Sequence, residues 1–302
     1  MKYLSLLLSF TLVSFTLVAQ VPEPKGAGLE PGTFPAKWIT GGPDCSQVPK
    51  WQVHQYNPDL YIIRESGCTN YEKPFLYLLF GKDRAMLQDT GAGETNVGEI
   101  VSQTIAEWRK RNGRESIPLL VTHSHGHGDH ISGDKQFIGK PGVTVVPLSV
   151  EGTQAAFGIK TWPTDLGSVD LGGRVLDVIP IPGHQPFGVT YYDRRTGILF
   201  TGDTLYPGRL YVSDAPAFVA SIQRLVDFTK DKPVAHVLGC HIEEARTPFL
   251  DYPVGTKYQP DEHVLELSHA NLVELNEALK PMNGNVVRYA LRDFTIWPNK
   301  PR

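Results

Sequence analysis

The chain has 302 residues, 41% hydrophobic and 20% charged, enough for one large globular domain, alone or decorated. A formal net charge of −3, with no block of Lys or Arg, removes the electrostatic case for a nucleic-acid partner. Its 29 Gly and 24 Pro argue against an all-helical protein and for strands joined by loops.

Residues 1–19 read as a signal peptide. Lys2 supplies the positive start, and Leu4 to Val18 form an apolar run interrupted only by Ser and Thr. Ala19 suits the position before a cleavage at Gln20, and Pro22 and Pro24 follow too closely for a spanning helix. The expectation is an exported protein, periplasmic or secreted, without stable membrane insertion after cleavage. Residues 20–50, rich in Pro and Gly, read as an extended lead-in, and 51–302 as one catalytic domain. Export permits a disulfide. Cys45 and Cys68 could pair, or all three cysteines could be buried free thiols; Cys240, beside His241, is expected to stay reduced.

From there the pattern is mostly strands. Leu60 to Arg64, Phe75 to Phe80 and Arg84 to Gln88 are short apolar runs closed by turn residues. Val97 to Arg111 places Val97, Ile100, Val101, Ile105 and Trp108 at helical spacing, and Asn112-Gly113 stops it. Ile117 to Val121 is then a buried strand. Later strands are read at Val143 to Pro147, Arg174 to Ile181, Val189 to Tyr192, Gly197 to Phe200 and Val234 to Leu238. Ala217 to Phe228 reads as a helix, Asp261 as the N-cap of a helix through Leu279, and Val286 to Phe294 as a last strand. Strands grouped between helices in two similar halves, without a sequence repeat, predict helices packed outside two facing sheets.

The chemistry concentrates where the strand of Ile117 to Val121 ends. His125, His127, Asp129 and His130 spell His-x-His-x-Asp-His, with Gly126 and Gly128 between them. Imidazole and carboxylate are the donors zinc and similar cations take, and glycine lets the backbone bend tightly. Bringing such polar groups together without a metal is costly. Three more donors leave later strands next to or near a glycine: Pro182-Gly183-His184, Thr201-Gly202-Asp203 and Gly239-Cys240-His241. Loops on a rigid scaffold are where sites are built. Together these give five His and two Asp, enough for two ions. His123 falls outside the register of the motif, and His54, His236, His263 and His269 read as ordinary structural histidines.

These positions, with Asp89 in Gln88-Asp-Thr-Gly, resemble the metallo-β-lactamase superfamily in its own order over roughly residues 51–250. The resemblance implies an α+β fold, a four-layer αββα sandwich, and two zinc ions, with iron or a mixed pair as the alternative. By position, His125, His127 and His184 would hold one ion, Asp129, His130 and His241 the other, and Asp203 both, while Asp89 would orient a ligand. It implies a small-molecule substrate and hydrolysis of an ester, lactone, thioester or amide by a metal-bound hydroxide, with Asp129 and Asp203 as catalytic residues. Asp203 stands where true β-lactamases of the superfamily lack an aspartate, and His127 stands where the flavodiiron branch has Glu. The stretches Leu171 to His184 and Phe200 to Leu205 are similar to glyoxalase II. Only about 60 residues follow His241, short for the helical glutathione-binding domain of that branch. A mononuclear iron persulfide dioxygenase is the alternative the ligands leave open. Tyr206, Arg209, Tyr211, Arg246, Tyr252 and Tyr258 lie around these positions in sequence, and Tyr206 is the first choice among them for contact with a substrate oxyanion.

Overall fold

Strands buried on both faces must read as nearly continuous apolar runs, and two central strands do. A computed structural model describes residues 28–93 and 95–299, so the leader expected at residues 1–19 lies outside the described residues. The first half comprises β1 (Trp51–Asn57), β2 (Leu60–Glu65), β3 (Phe75–Phe80), β4 (Ala85–Gln88), α1 (Val97–Arg111), β5 (Leu119–Thr122), α2 (Gly128–Ile131) and β6 (Val143–Val145). Its six strands form one sheet in sequence order. Hairpins make β1 to β4 antiparallel, and the crossovers through α1 and α2 make β4, β5 and β6 parallel.

The second half follows α3 (Val150–Phe157) with β7 (Gly167–Asp170), β8 (Val175–Pro180), β9 (Val189–Asp193), β10 (Ile198–Gly202), β11 (Arg209–Val212), α4 (Ala215–Thr229), β12 (His236–Gly239), β13 (Glu266–Leu267), α5 (His269–Leu279), β14 (Tyr289–Ala290) and β15 (Thr295–Pro298). The second sheet has the order β13-β12-β10-β9-β8-β7, and β11-β15-β14 form a third, small sheet.

Alternation along the strands divides the apolar side chains among three layers of core. Leu60, Ile62, Phe75 and Tyr77 meet Val178, Tyr191, Phe200 and Leu238 between the two large sheets. The opposite face of the first sheet, with Ile63, Leu76 and Phe80, packs on Val97, Val101 and Trp108 of α1; Phe80 and Trp108 stack at 4.4 Å. On the second sheet, Ile179, Leu199 and Val237 face Phe218, Ile222 and Leu225 of α4 and Leu272 and Leu275 of α5. The result is the expected α+β sandwich, helix–sheet–sheet–helix.

Two local readings are corrected. The helix expected from Asp261 begins at His269, behind Ser268. Glu262 is drawn inward instead, forming hydrogen bonds of 2.6 and 2.7 Å with the buried Arg64 guanidinium. An unpaired buried charge would be costly, so this demand overrides local helix preference. The last strand expected over Val286 to Phe294 is a hairpin, β14 and β15. Asp293 in its turn accepts from Asn271 at 2.9 Å, which ties the reversal to α5. β1, α3 and β7 carry too little apolar periodicity to be read in advance. Cys45 and Cys68 form a disulfide, Cα to Cα 5.4 Å, and Cys240 is free and buried.

Candidate metal centre

The four strands β5, β8, β10 and β12 all release chain at one rim of the sandwich, and each release carries part of the polar constellation. Two glycines let these loops approach. A Cβ on Gly126 would meet the Phe187 ring at 2.4 Å, and one on Gly202, at φ +54°, would meet Ser124 Cβ at 2.7 Å.

The seven residues gather into two groups that share one member. In the first, His125, His127, His184 and Asp203 turn donor atoms together, and in the second Asp129, His130, His241 and Asp203 do so; within each group these atoms lie within 4.8 Å of one another. His125 Nε2 lies 2.9 Å from His127 Nδ1, and His184 Nε2 lies 3.2 and 3.1 Å from those two nitrogens. Asp203 Oδ2 is 3.7 Å from His125 Nε2 and 3.6 Å from His184 Nε2. Its Oδ1 is 3.4 Å from His130 Nε2 and 3.3 Å from His241 Nε2. Asp129 Oδ2 is 3.2 Å from both of those nitrogens.

The outer nitrogens of His184, His241 and His130 are held as donors, which leaves their inner nitrogens facing the two groups. His184 Nδ1–H donates to the Tyr211 carbonyl at 2.8 Å and His241 Nδ1–H to the Glu72 carbonyl at 2.9 Å. Asp89 accepts from the Ser124 N–H at 2.7 Å, the Ser124 hydroxyl at 2.8 Å, His130 Nδ1–H at 3.1 Å and the Cys240 thiol at 3.3 Å. Such partners set tautomer and ring angle in metal sites. Asp89 therefore stands where the resemblance expects it, behind His130.

A cation fits this arrangement. Zinc bonded to nitrogens at about 2.0–2.1 Å with tetrahedral angles separates them by about 3.3 Å, close to the spacing of the three imidazoles. Asp203 Oδ1 is buried without a hydrogen-bond partner. The electrostatics agree. Burial pushes His125 well down and His184 down, so both stay neutral, as ligands must. In His130 and His241 burial opposes charge, but Asp129 and Asp203, with Asp89 also beside His130, outweigh it and raise both well above the usual imidazole range. Burial likewise opposes charge in Asp129 and Asp203, and His130 and His241 overcome it, holding both carboxyls below their ordinary range. The second group thus attracts positive charge.

Most of the aromatic and basic residues expected around the site are committed elsewhere. Arg209 donates to Glu243 at 2.7 Å, Asp251 at 2.6 Å, the Tyr252 carbonyl at 2.8 Å and Tyr211 Oη at 3.1 Å. The Tyr206 hydroxyl is turned to the Arg209 carbonyl and Glu243, and its ring packs 5.5 Å from His241, so it supports a ligand-type residue rather than facing an oxyanion. Arg246 pairs with Asp261, Tyr252 Oη accepts from the Asp261 N–H, and Tyr258 is exposed. His123 bonds Asp134 at 2.9 Å, outside both groups. His54, His236, His263 and His269 bond or pack far from them in contacts with Thr33, Phe34, Asp293 and Thr229. Four contributors were not foreseen: the Glu72 and Tyr211 carbonyls, which no side-chain pattern announces, Ser124, which donates twice to Asp89, and Cys240, whose place beside His241 was the only hint.

A fold of two sheets between helices, with metal-type donors at one rim, is the architecture of the metallo-beta-lactamase superfamily. The model of that family matches residues 74–241, more than half of the chain, and the chain belongs to it. It is 30% identical over 154 residues to the hydroxyacylglutathione hydrolase of Chelativorans sp. (strain BNC1), covering 49% of this chain and 58% of that one. It is 23% identical over 231 residues to the acyl-coenzyme A thioesterase MBLAC2 of Bos taurus, covering 64% of this chain and 81% of that one. Among solved structures it resembles a metallo-beta-lactamase from Pontibacter korlensis, with TM-score 0.51 and 20% identity over 76% of this chain and 99% of that one. The chain thus spans little more than half the length of the hydroxyacylglutathione hydrolase it matches. No helix among the described residues is long and apolar enough to cross a membrane.

Proposed function

We propose that the protein is an exported hydrolase that holds two metal ions, zinc by donor chemistry, and cleaves an acyl bond, a thioester first among ester, lactone and amide. The observation that carries this reading is Asp203, whose two oxygens face two separate donor groups. His125, His127 and His184 would hold one ion, and Asp129, His130 and His241 the other. Bound there, such ions supply Lewis acidity for a carbonyl oxygen and acidify water at neutral pH. The chain's own residues do the rest. Asp89 holds the His130 ring in register, and Asp129 and Asp203 are the carboxylates positioned to orient a water and take its proton. Both curated relatives carry names of thioester hydrolases, which supports the choice of bond. Asp203 supports a general acyl hydrolase over a β-lactamase. Export is supported by the leader pattern and by the disulfide, since such bonds persist in oxidising compartments.

The test is metal analysis of the purified chain with a panel of thioester, lactone, ester, amide and β-lactam substrates. The reading expects two zinc ions per chain, thioester turnover, and its loss in Asp203→Ala. A single iron with oxygen consumption on a persulfide would replace it with the dioxygenase. Undiminished hydrolysis by Asp203→Ala would end it.

A further inference from the structure

Two separate stretches of chain hold the acid-rich half of the centre from behind. Residues 66–72 follow β2 and end on the Glu72 carbonyl that accepts from His241. Asn70 Oδ1 accepts from the Glu72 N–H at 2.9 Å and shapes that end. Residues 89–92 follow β4. Asp89 accepts from His130 Nδ1–H, and the Thr90 N–H donates to the His130 carbonyl at 2.7 Å. Asp89 has φ +67°, a left-handed conformation that persists in a residue with a side chain where the surroundings hold it.

Glu65, the last residue of β2, is fully buried and bridges these two stretches. Its Oε2 accepts from the Ala92 N–H at 2.8 Å, and its Oε1 lies 3.0 Å from the Thr69 hydroxyl. A Cβ on Gly91 would lie 2.9 Å from Glu65 Oε2 and 2.9 Å from the Trp51 ring, so the turn is seated directly on these two side chains. Thr69 Oγ1 is also 2.6 Å from the Ser66 carbonyl, which can only accept, and a hydroxyl has one proton. With that proton on Ser66, a neutral Glu65 donates to Thr69 while still accepting from Ala92. Ionised, Glu65 must draw the Thr69 proton away from Ser66. Only the neutral acid satisfies every partner at once, and burial, which raises the carboxyl to about 7, favours that form.

We propose that Glu65 is a positioning residue for the metal centre: as a carboxylic acid bonded to Thr69 and Ala92, it holds the Glu72 carbonyl and the Asp89 turn in one register and so aims His241 and His130 at the same ion. Its partners, Thr69 and Ala92, are not among the seven donors, so Glu65 acts through the supports of the rings and not on the ion. His184 is outside this linkage, since its support is the Tyr211 carbonyl of β11. The inference deepens the two-ion reading and rests on it for the shared ion; the linkage between the two ring supports is independent of the reaction.

The test compares the full-length, zinc-loaded protein with its Glu65→Gln, Glu65→Ala and Thr69→Val variants. Two quantities are read: solvent exchange of the imidazole Nδ1–H protons by NMR, and zinc affinity by competition with a chelator. Gln reproduces the neutral acid, because its NH2 donates to Thr69 and its oxygen accepts from Ala92. Glu65→Gln is therefore expected to stay within about twofold of the parent in both quantities, whereas Glu65→Ala weakens one zinc about tenfold or more and speeds exchange at His130 and His241 to a similar degree. The other zinc and the His184 ring proton are expected to keep their values. Thr69→Val cuts only the side that leads to Glu72, so faster exchange is expected at His241 alone; this variant carries the test if Glu65→Ala does not fold. Glu65→Gln as impaired as Glu65→Ala, a loss that reaches His184 equally, or unchanged His241 exchange in Thr69→Val overturns the role. A parent protein that takes one zinc removes the two-ion reading, and the ring-proton rates still decide the role of Glu65. The expected rates without cleavage of any acyl substrate remove the hydrolase reading and keep the role.

Discussion

The two donor groups at the rim share Asp203 but are built on opposite electrostatic plans. His125, His127 and His184 form a nitrogen-rich half in which burial keeps His125 and His184 neutral. Asp129, His130 and His241 form an acid-rich half in which carboxylates hold protons on the imidazoles. The first half is ready for a cation as folded. The second must exchange protons for one. The difference teaches that a pair of adjacent sites need not fill together, and that their order is written in burial and neighbouring charge.

The harshest way to break the comparison is to remove what the halves share. Asp203→Ala is expected to lower metal content from two ions to one or fewer and thioester turnover at least about a hundredfold, read by elemental analysis and initial rates. Asp89→Asn should act mainly on the acid-rich half, because Asp89 touches His130 directly and reaches His125 only through the Ser124 hydroxyl, 2.8 Å from Asp89 and 3.0 Å from His125 Nδ1. One ion is expected to remain, with affinity for the other lowered about 10–100-fold. Equal loss from both halves would show that the halves are not separable.

A pH series sharpens the contrast. The raised His130 and His241 keep their protons into neutral solution, so acidification should expel metal from the acid-rich half first. The lowered His125 and His184 compete for protons only at lower pH. Metal titrations between about pH 5.5 and 8.5 are expected to give two separated losses; a single coincident loss would contradict the distinction. The smallest effect belongs to Glu65. Burial, against hydrogen bonds from Ala92 and Thr69 and with help from Asp129, raises its carboxyl to about 7 from 4.5. The unfolded chain releases this proton first, so stability falls as pH rises from about 4.5 to about 7. Glu65→Gln is expected to flatten that slope, measured as Tm against pH.

Much of the fold and of the candidate site was legible because both rest on local pattern. The limits of α1 were visible from Val97 to Asn112-Gly113, and the strands β2 and β3 from uninterrupted apolar runs. The seven donors were legible because each stands next to or near a glycine on a loop that leaves a strand, and the structure brings them together. What escaped depends on partners distant in sequence. Glu262 looked like the first turn of a helix, but it answers Arg64, 198 residues earlier. The supports of His184 and His241 are carbonyls, whose residue type carries no signal. The stacking of Arg288 on Trp297 exists only because a hairpin forms where the alternation suggested one strand.

The pairing of β11 with β15 also has a temporal side. β11 is made some eighty residues before β15 and pairs with it in parallel, so it has no strand partner in its sheet until that strand arrives. Such distant pairing closes late, because a long loop must be ordered before any contact rewards it. A chain cut just before Thr295 would keep every metal-type side chain yet leave β11, which carries the carbonyl under His184, without its strand partner. During synthesis the centre is therefore completed from the back of the chain forward.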